Sequence, residues 1–397
     1  MIGLNTGHRT YNYGTRLQAY ALTEIMKERN LENEIIYHIN CNKSKLVAKI
    51  LEIVLVKCKI TKKLFEIITR ERELNRYIRR CKKTSERNLK KKIRLRFKKF
   101  DQFNRENLKI REYCCRYCDL GEKTKGYSAI FCGSDQAWLP DNIKRDTYTL
   151  EYCNDGVKRI SYAPSFGVSV LPEDMKKKYS RFLSKFDYIS VREIQGKNII
   201  KELINKDVPV VLDPTLMITA EKWDAKATCP EYNLPKEYIL CYFLGDNDVH
   251  REMVQKLKKQ FNLPVLSISH MKKYISSDNE VSDVNLYEVS PFDFIYLIKN
   301  SRFVCTDSFH ATVFSILFEK KFLVFQRFNN NSAKSTNSRL YSMLELIGIE
   351  NRIIEDNNCD LFNIIDMNID YKTVKQKLEE LRKISNDYLD RALKGIE

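Results

Sequence analysis

Short apolar runs rich in β-branched and aromatic residues alternate with amphipathic stretches along most of the 397-residue chain. The apolar runs predict nine strands, at residues 34–39, 129–132, 159–162, 188–191, 208–211, 238–243, 265–269, 303–306 and 322–325. The amphipathic stretches predict seven helices, at residues 16–29, 172–185, 195–206, 250–260, 291–299, 311–318 and 372–394. This alternation of strand and helix is typical of a parallel α/β architecture.

The segment 219–237 contains two prolines and little periodicity, so we interpret it as a linker between two α/β halves. The expected fold is therefore α/β, with two Rossmann-like, doubly wound domains, residues 1–225 and 226–397, that face a cleft. In such folds, ligands bind beyond the carboxyl ends of the strands, next to helix N-termini. Residues that follow a predicted strand are accordingly the first candidates for a functional site.

The positive charge of the chain is concentrated in one segment. The formal net charge is +17, yet residues 41–111 contain 25 Lys and Arg against 7 Asp and Glu, and the remainder contains 44 against 45. An apolar stretch at 46–60 is too short and too charged to span a bilayer but suits a helix in a membrane interface. Further apolar residues recur at helical spacing: Leu89, Ile93, Phe97 and Phe100. We interpret 41–111 as a basic helical insert in the first domain.

Three interpretations fit this insert. A basic amphipathic hairpin binds an anionic membrane surface, clustered cations bind nucleic acid phosphates, and a solvated charged face needs no partner. The membrane surface is the favoured interpretation and the solvated face comes second. Nucleic acid comes last, because the sequence has no zinc-finger or RNA-recognition motif.

The composition indicates a cytoplasmic protein. No uncharged apolar run of about 18 residues predicts a transmembrane helix, and residues 1–10 lack a signal-peptide pattern. The twelve cysteines are scattered rather than arranged as a disulfide framework. Cys115 and Cys118 have the spacing of a zinc pair, but no second pair follows, so we expect reduced cysteines and no metal site.

Polar residues follow several predicted strands. A glycine-containing loop at 12–15 opens the first helix after a first short strand, and its backbone N–H groups suit an anion or sugar oxygens. Asp135 and Gln136 follow the strand at 129–132, where short polar groups can hold a sugar hydroxyl. Both segments also fit a plain turn or helix cap, and the residues alone leave these alternatives open.

Two further residues have functional side chains at predicted strand ends. Arg192 follows the strand at 188–191, and its guanidinium suits a carboxylate or phosphate, although a surface ion pair is the alternative. His310 follows the strand at 303–306 and begins a helix, where it is the best-placed general acid among five histidines. A lone histidine is otherwise usually structural.

Taken together, eight segments resemble the polysaccharide pyruvyl transferase family, in the family's order and over nearly the whole chain. These segments are NYGTRLQAYAL (12–22), FCGSDQAW (131–138), SYAPSFG (161–167), ISVRE (189–193), VLDPTL (211–216), YILCYFLG (238–245), TDSFHATVFSILF (306–318) and NSRL (337–340). The resemblance implies a fold similar to GT-B glycosyltransferases, with two Rossmann-like domains around a deep cleft.

The resemblance also implies an activity. Members of the family move pyruvate from phosphoenolpyruvate onto a sugar of a capsule, exopolysaccharide or cell-wall polymer, as a carboxyketal. Phosphoenolpyruvate is then a co-substrate and no cofactor is expected. The implied acceptor is an oligosaccharide on a polyprenyl diphosphate carrier, so the insert at 41–111 would hold the enzyme at the inner face of the plasma membrane.

Site residues follow from the same resemblance. His310 and Arg192 are implied to be catalytic and to contact phosphoenolpyruvate. Many members have arginine two residues before the histidine, where this chain has Ser308, so Arg339 or Lys334 is expected to supply the missing cation. The implied donor-binding set is Arg192, Ser308, His310, Arg339 and Lys334. The implied acceptor-binding set is Asn12, Tyr13, Asp135, Gln136 and Ser165.

Two other functional classes remain open at this point. A nucleotide-sugar glycosyltransferase would share the expected architecture, and release of phosphate from phosphoenolpyruvate separates the two activities. A non-catalytic basic protein that binds nucleic acid or membrane through 41–111 would show salt-dependent binding without phosphate release.

Overall fold

The computed structural model describes residues 1–37, 62–81, 87–111, 117–144, 146–328, 337–355 and 359–396. The strands are β1 Ile2–Asn5, β2 Asn33–Ile35, β3 Ala129–Cys132, β4 Lys158–Ser161, β5 Ile239–Tyr242, β6 Val265–Ile268, β7 Val284–Leu286, β8 Phe303–Thr306, β9 Lys321–Phe325 and β10 Ile353–Ile354.

Helices cover and connect these strands. They are α1 Tyr13–Glu28, α2 Lys62–Arg80, α3 Leu89–Asn107, α4 Leu120–Lys123, α5 Pro140–Ile143, α6 Glu173–Leu183, α7 Ile194–Ile204, α8 Pro214–Met217, α9 Ala220–Asp224, α10 Asp248–Phe261, α11 Ser276–Val281, α12 Pro291–Asn300, α13 Phe309–Leu317, α14 Ser338–Ile347, α15 Leu361–Asp366 and α16 Tyr371–Leu393.

The strands form two parallel sheets. The first has the order β2-β1-β3-β4 and the second has the order β10-β9-β8-β5-β6-β7. Strands β1, β3, β5, β6 and β8 are buried along their whole length, as expected for parallel sheets covered on both faces. Successive strands are added to one edge of each sheet and then to the other. This switch in strand order falls between β1 and β3 in the first sheet and between β5 and β8 in the second. The prediction of an α/β fold with two parallel sheets around a cleft is confirmed.

Two of the predicted strands do not form continuous ladders of backbone hydrogen bonds with a neighbouring strand. Residues 188–191 and 208–211 make only single parallel bridges, Ile160 to Tyr188 and Val191 to Val210. In the first, the Ser161 hydroxyl takes the place of a backbone partner, accepting from the Ser190 N–H at 3.0 Å. In the second, proline at 209 has no N–H to donate to a ladder.

Three observed strands are not among the nine predicted ranges: β1, which the sequence indicated only as a first short strand, β7 and β10. β7 has three residues and β10 has two, which is too few for an alternating pattern to be detected. The predicted strand at 34–39 begins at Asn33 and ends at Ile35, and its last two residues lie outside the described ones. All seven predicted helices are present, with ends shifted by at most three residues.

The long C-terminal helix α16 returns to the first sheet. The Tyr388 hydroxyl donates to the backbone oxygen of Ser161 in β4 at 2.6 Å, and the Leu212 N–H donates to Ser385 Oγ at 2.9 Å. The second half of the chain thus contributes to the support of the first sheet. The domain boundary at residue 225 stays a prediction.

The described part of the basic insert packs against both halves. The predicted stripe Leu89, Ile93, Phe97 and Phe100 is buried and confirms the helix α3. The guanidinium of Arg96 reaches the second half, where it donates to the backbone oxygens of Tyr287 at 2.6 Å and Ser269 at 3.1 Å. The apolar stretch at 46–60 lies outside the described residues. Within the described ranges, every helix is too short or too polar to cross a membrane.

Candidate functional site

A cavity of about 990 Å³ lies between the two sheets and is called the cleft below. Its walls include the residues that follow β1 and β3 in the first sheet and those that follow β5, β6, β8 and β9 in the second. The cleft therefore lies at the carboxyl ends of the strands and at both points where the sheets reverse, as expected for ligand binding in this class of fold.

His310 lies in the first turn of α13, which Ser308 caps. The Ser308 hydroxyl oxygen accepts from the Ala311 N–H at 3.5 Å, and both Ser308 and His310 line the cleft. Helix α1 faces the imidazole through Gly14, where an added Cβ would lie only 2.0 Å from His310 Nδ1. The imidazole is buried, and its Nε2 has no hydrogen-bond partner among the described residues.

Asp213 is the anionic centre beside His310. Its Oδ2 lies 3.7 Å from His310 Nε2 and accepts from Arg192 Nη1 at 2.6 Å and from Ser134 Oγ at 3.0 Å. Its Oδ1 accepts from the N–H and the hydroxyl of Thr215. Burial raises the pKa of Asp213, but His310 and Arg192 outweigh burial and hold this pKa well below its ordinary value. Asp213 is thus a fixed negative charge.

Arg192 lies behind the cleft wall instead of on it. The guanidinium pairs with Asp213 and Asp135 and lies 4.3 Å from the ring centre of Phe309, which does line the cleft. Burial lowers the pKa of Arg192, but Asp213, Asp135 and Glu193 raise it further. Its carboxylate partners and the covering ring suit Arg192 to a positioning role, and its expected contact with the donor stays a prediction.

Glu193 is buried next to Arg192 rather than part of a surface pair. Its Oε1 accepts from Ser165 Oγ at 2.9 Å and from the Phe166 N–H at 2.8 Å. Burial raises the pKa of Glu193, with Arg192 and Ser165 opposing the effect. Ser165, an expected acceptor residue, is therefore occupied with Glu193 and does not line the cleft.

Asp135 and Arg339 meet on the cleft wall. Arg339 Nη1 lies 3.7 Å from Asp135 Oδ1, while Asp135 Oδ2 accepts from Thr15 Oγ1 at 3.3 Å. Burial raises the pKa of Asp135, but Arg192, His310 and Arg339 together lower it below its ordinary value. Burial, followed by repulsion from Arg192, lowers the pKa of Arg339 to about 10. Both residues line the cleft, and their expected contacts with acceptor and donor stay predictions.

Asn12 and Gln136 also line the cleft, and Tyr13 does not. Asn12 caps α1, with its Oδ1 accepting from the Thr15 N–H at 3.0 Å. The Tyr13 ring is fully buried, stacked 4.7 Å from Phe294, and its hydroxyl donates to the Val289 backbone oxygen. Tyr13 thus belongs to the core beneath the cleft. Lys334 lies outside the described residues.

Arg327 is a cation on the cleft wall that the sequence patterns do not single out. Its Nη2 donates to the Asp307 backbone oxygen at 2.7 Å, and its Nε lies 3.2 Å from Asp307 Oδ2. The same carboxylate accepts from the N–H groups of Leu244 and Gly245, each at 2.7 Å. Asp307 therefore connects the segments that follow β5, β8 and β9. Arg327 follows the predicted strand at 322–325 by two residues, the same signal that identified Arg192.

Comparison with solved structures finds distant likenesses in fold. The UDP-GlcNAc 2-epimerase of Neisseria meningitidis, bound to UDP-GlcNAc, is 11% identical at a TM-score of 0.45, over 98% of this chain and 100% of that one. The ADP-heptose LPS heptosyltransferase II of E. coli is 11% identical at a TM-score of 0.38, over 97% and 99%. We draw no functional conclusion from similarity at this level. No curated protein sequence matches the chain.

A family model gives a direct assignment. The model described as polysaccharide pyruvyl transferase matches residues 12–327, well over half of the chain. The matched span contains the capped His310, its partner Asp213 and the cleft cation Arg327. The chain therefore belongs to the polysaccharide pyruvyl transferase family.

Proposed function

We propose that this protein transfers the pyruvyl group of phosphoenolpyruvate to a sugar of a cell-surface polysaccharide, or of its lipid-linked precursor, and forms a carboxyketal. The observation that carries the proposal is His310 on the wall of a cation-lined cleft, with the ionised Asp213 behind it at 3.7 Å. Family membership supports the same chemistry.

Phosphoenolpyruvate carries a carboxylate and a phosphate, so its site needs fixed positive charges. Arg327 and Arg339 both line the cleft on the side of the second sheet and lie near enough that Arg327 lowers the pKa of Arg339. We assign them to the two anionic groups of the donor. Arg339 thus takes the role that the sequence suggested for the cation absent at Ser308.

His310 then acts as the proton donor. The protonated imidazole gives a proton to the methylene carbon of phosphoenolpyruvate, and a sugar hydroxyl bonds to the resulting oxocarbenium carbon. The neutral imidazole takes the proton of that hydroxyl. A second hydroxyl of the sugar bonds to the same carbon, the bond to phosphate oxygen breaks, and phosphate leaves with the second proton. Asp213 stabilises the imidazolium, and Arg192 holds Asp213 in place.

The acceptor would bind against the first sheet, where Asn12, Asp135 and Gln136 line the cleft. An acceptor on a polyprenyl diphosphate carrier would be reached from the cytoplasmic face of the membrane. The concentration of positive charge in 41–111 supports a peripheral position on that anionic surface.

The test is incubation of the purified protein with phosphoenolpyruvate and lipid-linked glycan, followed by mass spectrometry and a phosphate assay. We expect a mass gain of one pyruvate minus water and equal release of phosphate. His310→Gln is expected to lower the rate by about 10²- to 10⁴-fold. His250, a buried histidine of the same half that does not line the cleft, provides the control His250→Gln.

Three results would contradict the proposal. Transfer from a nucleotide sugar without consumption of phosphoenolpyruvate would assign a glycosyltransferase. Binding to lipid or nucleic acid with no phosphate release under any condition would assign a non-catalytic protein. Equal rates for the wild type and His310→Gln would remove His310 from the mechanism.

A further inference from the structure

The basic insert forms one wall of the cleft. Residues of both α2 and α3 line it: Glu66, Thr69, Glu73, Arg76, Tyr77, Arg80, Phe97, Asp101 and Asn104. Hydrogen bonds from Tyr77 to the loop after β6, and from Tyr11 to Asp101, bring the insert, the chain before α1 and that loop together around this part of the cavity. We call this part of the cavity the insert-side lobe.

Each acidic side chain that the insert places in this lobe already has an arginine partner. Glu73 pairs with Arg76 at 2.6 Å, and Asp101 pairs with Arg70 at 3.1 Å. The third, Glu66, pairs with Arg105 at 3.3 Å. These three carboxylates are therefore neutralised within the insert itself.

Three cations of the same lobe lack such a partner. Arg16, Arg80 and Lys272 all line the cavity, and across the described ranges no carboxylate lies within ion-pair distance of any of them. Arg16 is buried between the rings of Tyr11 and Phe100, with its guanidinium carbon 5.6 Å and 5.7 Å from their centres. Arg80 and Lys272 are partly exposed and come from opposite walls, one from α2 and one from the second half.

The surroundings of the lobe lower the pKa of two of these cations. Burial, followed by repulsion from Arg327 and Arg80, lowers the pKa of Lys272. Burial lowers the pKa of Arg16 to about 10, with Tyr11 and Asp101 opposing the effect. Like charges brought together in a partly desolvated cavity repel, and an anion bound among them offsets this repulsion.

Hydrogen bonds fix the relative position of the two walls that carry Arg80 and Lys272. The Tyr77 hydroxyl in α2 donates to the Lys273 backbone oxygen at 3.0 Å, and Arg96 in α3 donates to the Ser269 backbone oxygen. These two contacts attach the insert to the loop that carries Lys272. The lobe is thus preorganised, which lowers the entropic cost of binding.

We propose that the insert-side lobe binds an anionic group of the acceptor, a phosphate or a carboxylate, through Arg16, Arg80 and Lys272. This inference rests on the proposed function, because it takes the ligand of the lobe to be the acceptor sugar. It assigns the insert a role in acceptor selection, in addition to any role at a membrane.

The test is a binding titration of the full-length protein with three probes, monitored by isothermal calorimetry or ligand-observed NMR. The probes are pyrophosphate, methyl glucuronide and the neutral methyl glucoside, each added in the presence of saturating phosphoenolpyruvate so that the donor site is occupied. We expect at least one anionic probe to bind, and methyl glucoside to bind more weakly. In Arg80→Gln/Lys272→Gln, the affinity for the anionic probe should fall about tenfold.

The control Lys91→Gln/Lys98→Gln removes two exposed charges from α3 that do not line the cleft, and it should leave probe affinity unchanged. Binding of pyrophosphate alone indicates a phosphate-bearing carrier, and binding of methyl glucuronide alone indicates an acidic sugar. Either result supports the proposal that the insert-side lobe binds an anionic group. The proposal is overturned if neither anionic probe binds, or if the two double variants lose probe affinity equally. A separate titration with phosphoenolpyruvate alone tests the donor site, so failure of the proposed function is recognised independently.

Discussion

At the scale of single residues, the site depends on one buried carboxylate. Asp213 joins Arg192, Ser134 and Thr215 through direct hydrogen bonds and faces His310 at 3.7 Å. Removing one partner of such a buried pair leaves an uncompensated buried charge. The resulting loss in the free energy of unfolding is larger than the net stabilisation that the intact pair provides. Asp213 is therefore expected to govern both the stability of the fold and the position of the catalytic groups.

We predict that Asp213→Asn lowers the free energy of unfolding by about 3–5 kcal/mol at pH 7. Because His310 and Arg192 lower the folded-state pKa of Asp213, its contribution is fully present above its unfolded pKa, near about 4, and is lost as the pH falls below that value. Urea unfolding of both proteins between pH 7 and pH 3 measures this effect. The difference in the free energy of unfolding between the wild type and Asp213→Asn should shrink as the pH falls, and a constant difference would contradict the prediction. The variant Asp390→Asn, at an exposed position, serves as the control.

Gly14 permits a second test at the same scale. The variant Gly14→Ala would place a methyl group 2.0 Å from His310 Nδ1, so the imidazole must move. A displacement of this size is expected to lower the transfer rate about 10²-fold or more, measured as phosphate release. Gly126→Ala, whose new Cβ would meet nothing within 4 Å, should retain the wild-type rate. A fully active Gly14→Ala would show that His310 does not need its observed position.

Residue types were easier to predict than residue orientations. Arg192 was identified because it ends an apolar run, yet its side chain turns under Phe309 toward Asp213, a contact 21 residues away in sequence that no local pattern encodes. The family resemblance implies that Tyr13 and Ser165 bind the acceptor, yet both side chains are buried beneath the cleft wall. Arg327 carried the same strand-end signal, and it was missed because no family segment drew attention to it.

At the scale of elements, local patterns predicted what local forces determine. The stripe from Leu89 to Phe100 and the helix over 372–394 follow from apolar periodicity alone. The docking of the insert on the second half does not, since it depends on Arg96, a charged residue buried against backbone oxygens. A basic side chain within a basic segment gives no sequence signal for such burial.

This contact makes the attachment of the insert testable. Arg96→Met removes charge-assisted hydrogen bonds to the backbone oxygens of Tyr287 and Ser269, so we expect a loss of about 2–3 kcal/mol in stability. Hydrogen exchange should accelerate across α2 and α3. Arg94→Met, which removes only a partly exposed pair with Glu71, should cost less than about 1 kcal/mol. Unchanged exchange in Arg96→Met would show that other contacts hold the insert.

At the scale of the whole molecule, the excess positive charge lies in a different part of the chain from His310 and Asp213. The segment 41–111 carries the entire excess of positive charge, while the rest of the chain is close to neutral. The sequence suggested that this excess concerns location rather than catalysis. The structure refines that view, because one face of the insert lines the cleft while other cations, including Lys90, Lys91 and Lys98, point to solvent.

The solvent-facing cations lead to a prediction about membrane binding. We expect the protein to bind vesicles that contain phosphatidylglycerol and to detach as salt is raised, because the attraction is electrostatic and screened. Lys90→Gln/Lys91→Gln/Lys98→Gln should weaken this binding about a hundredfold, measured by vesicle sedimentation. The matched variant Lys177→Gln/Lys372→Gln/Lys383→Gln removes three exposed charges elsewhere. If both triple variants weaken binding equally, net charge rather than the insert is responsible. If neither does, the outer face of the insert is simply solvated, and the insert serves the cleft alone.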